Sequence, residues 1–157
     1  RKNGGATLAG LENHQFCIGK RMILKVKDIA IPKEVLATVK PEDPAFEALV
    51  RLAGKSKGCC CLLVVDGEFR LLGTLSDADL RRALTKVGEK ALELPVRDVM
   101  NYKKSFPRTT TMSTMAFEAQ MKMGESPSVD YMPVLSDDGE NILLGLLTSH
   151  HLAEAGL

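Results

Sequence analysis

"LLGTLSDADLRRAL", residues 71–84, is the stretch on which the reading of this chain turns. Two leucines, a glycine and a β-branched residue read as a buried strand. A serine and two aspartates then open a helix that carries Arg81 and Arg82. The stretch has a second version near the C-terminus, "ILLGLLTSHHLAEAGL", residues 142–157. The "LLG" at 71–73 returns at 143–145, an offset of 72. Upstream, "VKDI" at 26–29 returns as "VRDV" at 96–99, an offset of 70. "FEALVRL" at 46–52 returns as "FEAQMKM" at 117–123, an offset of 71. The drift is two small insertions in loops, so the chain is an internal repeat with its elements in a preserved order.

Each copy reads as a leading strand, a helix, two strands and a closing helix. In the first helix of copy one, Asp43 is the expected cap and Pro44 suits the first turn. Ala45, Leu49 and Leu52 fall near one face, with Phe46 beside it. In copy two Ser113 or Thr114 is the expected cap, and Met115, Ala119 and the Met121–Met123 region carry the apolar side. "CCLLVV" and "YMPVL" are apolar runs of strand length, each followed by a hairpin at "DGEF" or "SDDGEN", where Gly67 and Gly139 suit a tight turn. The closing helices are expected over 77–86 and 149–155. One copy is too small to cover both faces of its sheet, so two copies packed together are expected to form one pseudo-symmetric α+β module.

Composition narrows the class. With 157 residues, 45% hydrophobic, 26% charged and a net charge of +1, the chain reads as an ordinary soluble globular module. A near-neutral balance argues against nucleic acid as partner. No apolar run approaches the roughly 20 residues that span a bilayer, and "RKNGGATLAG" lacks the apolar region of a signal peptide. The chain begins with Arg1 rather than Met, which fits a fragment or a processed form. Of four cysteines, Cys59, Cys60 and Cys61 are adjacent. Strand neighbours point to opposite faces, so the triplet has no zinc or disulfide spacing. Small buried hydrophobes in a reducing intracellular compartment, cytoplasmic or organellar, are the expectation.

This order of elements resembles a cystathionine-β-synthase (CBS) domain pair, often called a Bateman module. The resemblance rests on "VKDI…VVDGEFRLLGTLSDADLRRAL" and "VRDVM…MPVLSDDGENILLGLLTSHHLAEAGL" and covers nearly the whole chain from Val26. "IGKRMILKVKDI", "LLGTLSDADLRRAL" and the terminal "LAEAGL" further resemble the C-terminal CBS pair of arabinose 5-phosphate isomerases. There the pair follows a sugar isomerase (SIS) domain, and "ENHQFCIGKR" would be a remnant of the joint. The resemblance implies a pseudo-two-fold α+β module, each half a small three-stranded sheet with flanking helices. The expected division is a linker or remnant over 1–25, a first repeat over 26–90 and a second over 91–157.

Nucleotide-binding CBS pairs share a signature: Gly, a hydrophobic residue, any residue, Thr or Ser, two variable residues, Asp. Copy one matches it from Gly73 through Thr74 and Ser76 to Asp79. Ser76 stands where strand becomes helix, so its hydroxyl and the helix N–H groups can face a phosphate or ribose. Asp79, one turn on, can accept both ribose hydroxyls. Gly73 lets backbone come close, and Arg81 and Arg82 can bring a guanidinium to a phosphate. Cys61 and the segment near Thr38–Val39 are expected to line the base pocket. The same Ser76-x-x-Asp79 spacing is also an acidic variant of the helix capping box, which needs no ligand. Copy two keeps Gly145 and Thr148 but has His151 for the aspartate; a neutral imidazole cannot accept two hydroxyls, so that site reads as degenerate.

Other motifs carry less. Gly54-Lys55-Ser56 looks like a P-loop, but the glycine required at 49 is Leu49 and the run follows a helix, so Gly54 reads as a helix end. His150 and His151 have no partner at metal-ligand spacing. Met112, Met115, Met121 and Met123 read as adaptable core or interface. Lys20, Arg21, Lys25 and Lys27 read as a solvated linker. No arrangement favours nucleophilic catalysis.

The expected function is therefore regulatory and non-catalytic: sensing an adenine or cytidine nucleotide, or a nucleotide-sugar, on behalf of an attached SIS isomerase domain. A homodimer through the CBS pairs is expected, with no membrane partner, no metal and no obligatory cofactor. The alternative is a ligand-free module of structure and oligomerisation.

Overall fold

The computed structural model describes Gly19 and residues 23–54, 61–102 and 108–157. Cys59, Cys60, Lys20, Arg21, Lys55, Ser56 and nearly all of the expected 1–25 linker lie outside the described residues. Helices α1 to α6 span Val26–Ile29, Ala45–Ala53, Asp77–Val87, Val96–Val99, Ala116–Gly124 and Ser149–Glu154. Strands β1 to β7 span Ile31–Pro32, Thr38–Val39, Cys61–Val65, Leu71–Ser76, Thr110–Thr111, Tyr131–Leu135 and Leu143–Thr148. Short 3-10 helices occupy Lys33–Val35 and Gly88–Leu92.

The first sheet runs β2-β3-β4, with β2 parallel and β4 antiparallel to β3. The second repeats that plan as β5-β6-β7. It departs from the three strands expected, because β1 adds a fourth, antiparallel to β7, with Ile31 opposite Leu146. The corresponding segment after α4 makes only an isolated bridge, Asn101 opposite Thr74 in β4.

The repeat explains why β3 is apolar without alternation. Leu62 and Val64 join a core with Ala45, Ala48, Leu75 and Leu80. Leu63 and Val65, on the other face, meet Leu135, Leu143 and Leu146 of the second half. A strand covered on both sides has no face left for polar residues. The leading helices are exchanged between halves. Val96 and Val99 of α4 complete the core of the first half, whereas Val26 of α1 lies among Ala116, Ala119, Met132 and Leu147 of the second.

That exchange overturns the expected caps. Pro44, in extended conformation, is itself the N-cap of α2, and the Ala45 N–H donates to Leu94 O at 2.8 Å. Asp43 instead accepts from the Lys40 N–H, at 3.0 Å. In α5 the cap is Met115, the Ala116 N–H donates to Leu24 O at 2.8 Å, and Thr114 pairs with Thr111. In both helices a backbone carbonyl from an exchanged segment does the work assigned to a side chain.

Three smaller expectations change too. Phe46 of α2 is 56% exposed and Met121 of α5 is 69% exposed, because Ala45 and Ala48, or Ala116, Ala119 and Met123, face the core. Gly139 takes positive φ in its hairpin as a tight turn requires, but in the first hairpin Phe69 does so and Gly67 does not. Asp66 fixes that turn by accepting from the Glu68 and Arg70 N–H groups, each at 2.9 Å. Gly54 does end α2, in right-handed conformation.

Candidate functional site

The sequence around the β4–α3 turn folds as a reciprocal cap. Ser76 leaves β4 in extended conformation, and its Oγ accepts from the Asp79 N–H at 3.3 Å. Asp79 Oδ2 accepts in return from the Ser76 N–H at 2.9 Å and from its hydroxyl at 2.8 Å. Asp79 Oδ1 accepts from Arg82 at 2.9 Å. The carboxylate is 5% exposed, while the Arg82 side chain is 61% exposed. Arg81 turns away to Asp77 on the solvent face. Beside the cluster opens a cavity of about 290 Å3, lined in part by Asp79, Arg82, Lys86, Asp98 and Met100.

Gly73 is explained by the exchanged segment: a Cβ there would lie 2.6 Å from Asn101 O and 3.1 Å from Met100 Sδ. Asn101 and Thr74 exchange backbone hydrogen bonds of 2.8 and 3.1 Å. Thr74 is wholly buried, and its hydroxyl has no partner at ordinary hydrogen-bond geometry. Its neighbour is the phenol of Tyr131, from the second half. Burial pushes that phenol up to about 12; Cys61 and Asp79 add to the rise, and the Thr74 hydroxyl opposes it through a looser hydrogen bond.

Ser76, Asp79 and Arg82 are thus joined directly, with Gly73 and Thr74 on the same strand and Cys61 opposite Ser76 in the register. Thr38 is not with them. It sits on β2, at the other edge of the sheet, and lines a separate cavity with Asp43, Arg51 and Phe69. Sequence reasoning missed Tyr131, Asn101, Lys86 and Asp98. Asn101 alone had a signal, two residues after "VRDV" as Ile31 is two after "VKDI".

The second copy is built differently. Thr148 Oγ1 caps α6 by accepting from the His151 N–H at 3.2 Å, and the hydroxyl also pairs with His151 Nδ1. With Nδ1 occupied, His151 has only Nε2 left for a ligand. Gly145 is again set against an exchanged segment, its Cβ position 2.6 Å from Ile31 O. Among the described residues no cluster of three or more His, Cys, Asp or Glu could hold a metal ion, and no helix is long and apolar enough to cross a membrane.

The family model of the CBS domain matches residues 26–86 and again 96–157. An uncharacterized protein of Chlamydia pneumoniae is 36% identical over 141 residues, 89% of this chain and 41% of that protein. The arabinose 5-phosphate isomerase KdsD of Francisella tularensis is 31% identical over 140 residues, 89% of this chain and 40% of that protein. The chain therefore spans about two-fifths of the length of the curated relatives it matches. Among solved structures, CBSX2 in complex with AMP is similar at 30% identity and a TM-score of 0.68, over 84% of this chain and 95% of that one.

Proposed function

This chain belongs to the CBS domain family and carries two copies of that domain, and from that premise we propose that it is a regulatory pair that binds an adenine nucleotide beside Ser76 and Asp79. Cytidine nucleotides and nucleotide-sugars are the neighbouring ligand classes. The bound ligand controls a sugar-phosphate isomerase of which the pair is a part, as the likeness to KdsD suggests.

The observation that carries the reading is the Asp79 carboxylate, buried at a helix start beside an open cavity and tied to a mostly exposed arginine. An ionised carboxylate has about four acceptor sites, and the three bonds described leave one for a ribose hydroxyl. The Arg82 end of the tether is mostly exposed, so its guanidinium can turn to solvent or to another anion. An arriving phosphate can draw the guanidinium away and leave Asp79 facing the sugar. The second copy holds no ligand of this kind, since His151 replaces the carboxylate and is held by Thr148.

Calorimetric titration with AMP, CMP and a nucleotide-sugar tests this. The unmodified chain is expected to bind AMP, and Asp79→Ala to weaken binding by at least about tenfold, the range of a lost hydrogen bond to a charged group. Equal affinity in the variant, or no binding by the unmodified chain, defeats the reading.

A second reading is a ligand-free assembly module. It is favoured by how fully Asp79 is engaged within the chain, and by matched apolar pairs exposed on α2 and α5. Those pairs are Phe46 and Val50 at 56% and 53% exposure, and Phe117 and Met121 at 39% and 69%. The same pairs suit the contact of a homodimer in either reading. A nucleotide that binds the folded state must raise the melting temperature; dimers by sedimentation with no such rise select the second reading.

A further inference from the structure

Tyr131 begins β6 at the place that Cys61 holds in β3, since Tyr131 is opposite Thr148 and Cys61 is opposite Ser76. It belongs to the second half by sequence, yet it packs in the core between the halves, with Leu63 and Val65 of the first. Leu63 is opposite Thr74, so a packing partner of the ring is the cross-strand neighbour of the strand that leads into Ser76. Its hydroxyl lies by Thr74 and Cys61 and feels the charge of Asp79, all from the first half. Thr74 is wholly buried and its hydroxyl is poorly satisfied, an uncommon state for a buried polar group. A hydrophobic interface would have been served by phenylalanine and valine at these two positions. The polar atoms instead set a hydroxyl of the second half beside the strand bearing the candidate site.

We propose that Tyr131 is a positioning residue for the ligand held at Ser76 and Asp79, and the contact through which the second half registers that the site is filled. The inference rests on the regulatory reading above. Occupation of the site re-aims the Asp79 carboxylate and the Ser76 hydroxyl; Thr74, two residues before Ser76 on β4, and the phenol then adjust together. No group in the second half provides the reverse contact at the same place, because the counterpart of Thr74 is Leu146.

The chain has two tyrosines, Tyr102 and Tyr131, so 3-fluorotyrosine labelling gives two fluorine resonances, and Tyr102→Phe assigns them. AMP is added to the full chain while its binding is followed by calorimetry. The Tyr131 resonance is expected to shift with the calorimetric midpoint. Tyr131→Phe is expected to weaken AMP by about threefold to tenfold, the worth of one neutral hydrogen bond. Thr74→Val, of similar shape, should weaken it alike and serves if Tyr131→Phe does not fold. A resonance that stays still while AMP binds, or a variant that folds and binds AMP as tightly as the unmodified chain, overturns this inference alone. No AMP binding by the unmodified chain overturns the regulatory reading as well.

Discussion

At the scale of single residues, one carboxylate serves two purposes. Asp79 closes the start of α3 through Ser76, and it is also the buried acceptor nearest the cavity. This pairing was legible in the sequence because both partners lie within one helical turn. Tyr131 was not legible, because its neighbours Cys61, Thr74 and Asp79 are more than fifty residues away in sequence. Its half-buried phenol gives a pH test. In a Tyr102→Phe background, alkaline titration by phenolate absorbance is expected to show a midpoint near 12, against about 10 for a free side chain. Folding holds this proton more tightly than the unfolded chain does. The stability it contributes is therefore whole below about pH 10 and lost as pH rises toward 12. A midpoint near 10 with the fold intact would contradict the placement of Tyr131 between the halves.

At the scale of elements, the organising feature is the pair of exchanged segments. Asn101 presses on Gly73, and Ile31 presses on Gly145, each carbonyl 2.6 Å from where a Cβ would be. Both obstacles are backbone, so neither can swing aside. Gly73→Ala and Gly145→Ala are each expected to cost about 1–3 kcal/mol in urea unfolding, as overpacking does. Gly67→Ala, with nothing within 4 Å, is the control and should change stability little. Equal stability of all three variants would contradict the close approach. Strands and closing helices were legible from local apolar runs and turn residues. The caps at Asp43, Ser113 and Thr114 were misread because the acceptor of a helix's first N–H was assumed to be local. Leu94 and Leu24 supply it from 49 and 92 residues away. The fourth strand was missed for the same reason, since two residues of β1 carry no periodic signal.

At the scale of the whole molecule, neither sequence repeat owns a complete core. Val96 and Val99 belong to the second repeat but close the first core, and Val26 does the reverse. The duplication itself was plain from "VKDI" and "VRDV", but not which half each copy would serve. Residues 26–90 alone are expected to show no cooperative thermal unfolding by circular dichroism. Extension to residue 102, adding α4, should help only in part, because Leu63 and Val65 would still face water. Sharp, independent unfolding of the 26–90 piece would contradict the exchange.

The traded helices also bear on synthesis. A chain leaving the ribosome cannot shut its first core when the first repeat has emerged, for Val96 and Val99 are still inside the exit tunnel. Val26, the earliest of these residues to emerge, must wait for Leu147 and Leu152, more than a hundred residues later. The nascent chain therefore carries an apolar helix uncovered while both repeats are being made, and factors that shield such surfaces have their opportunity there.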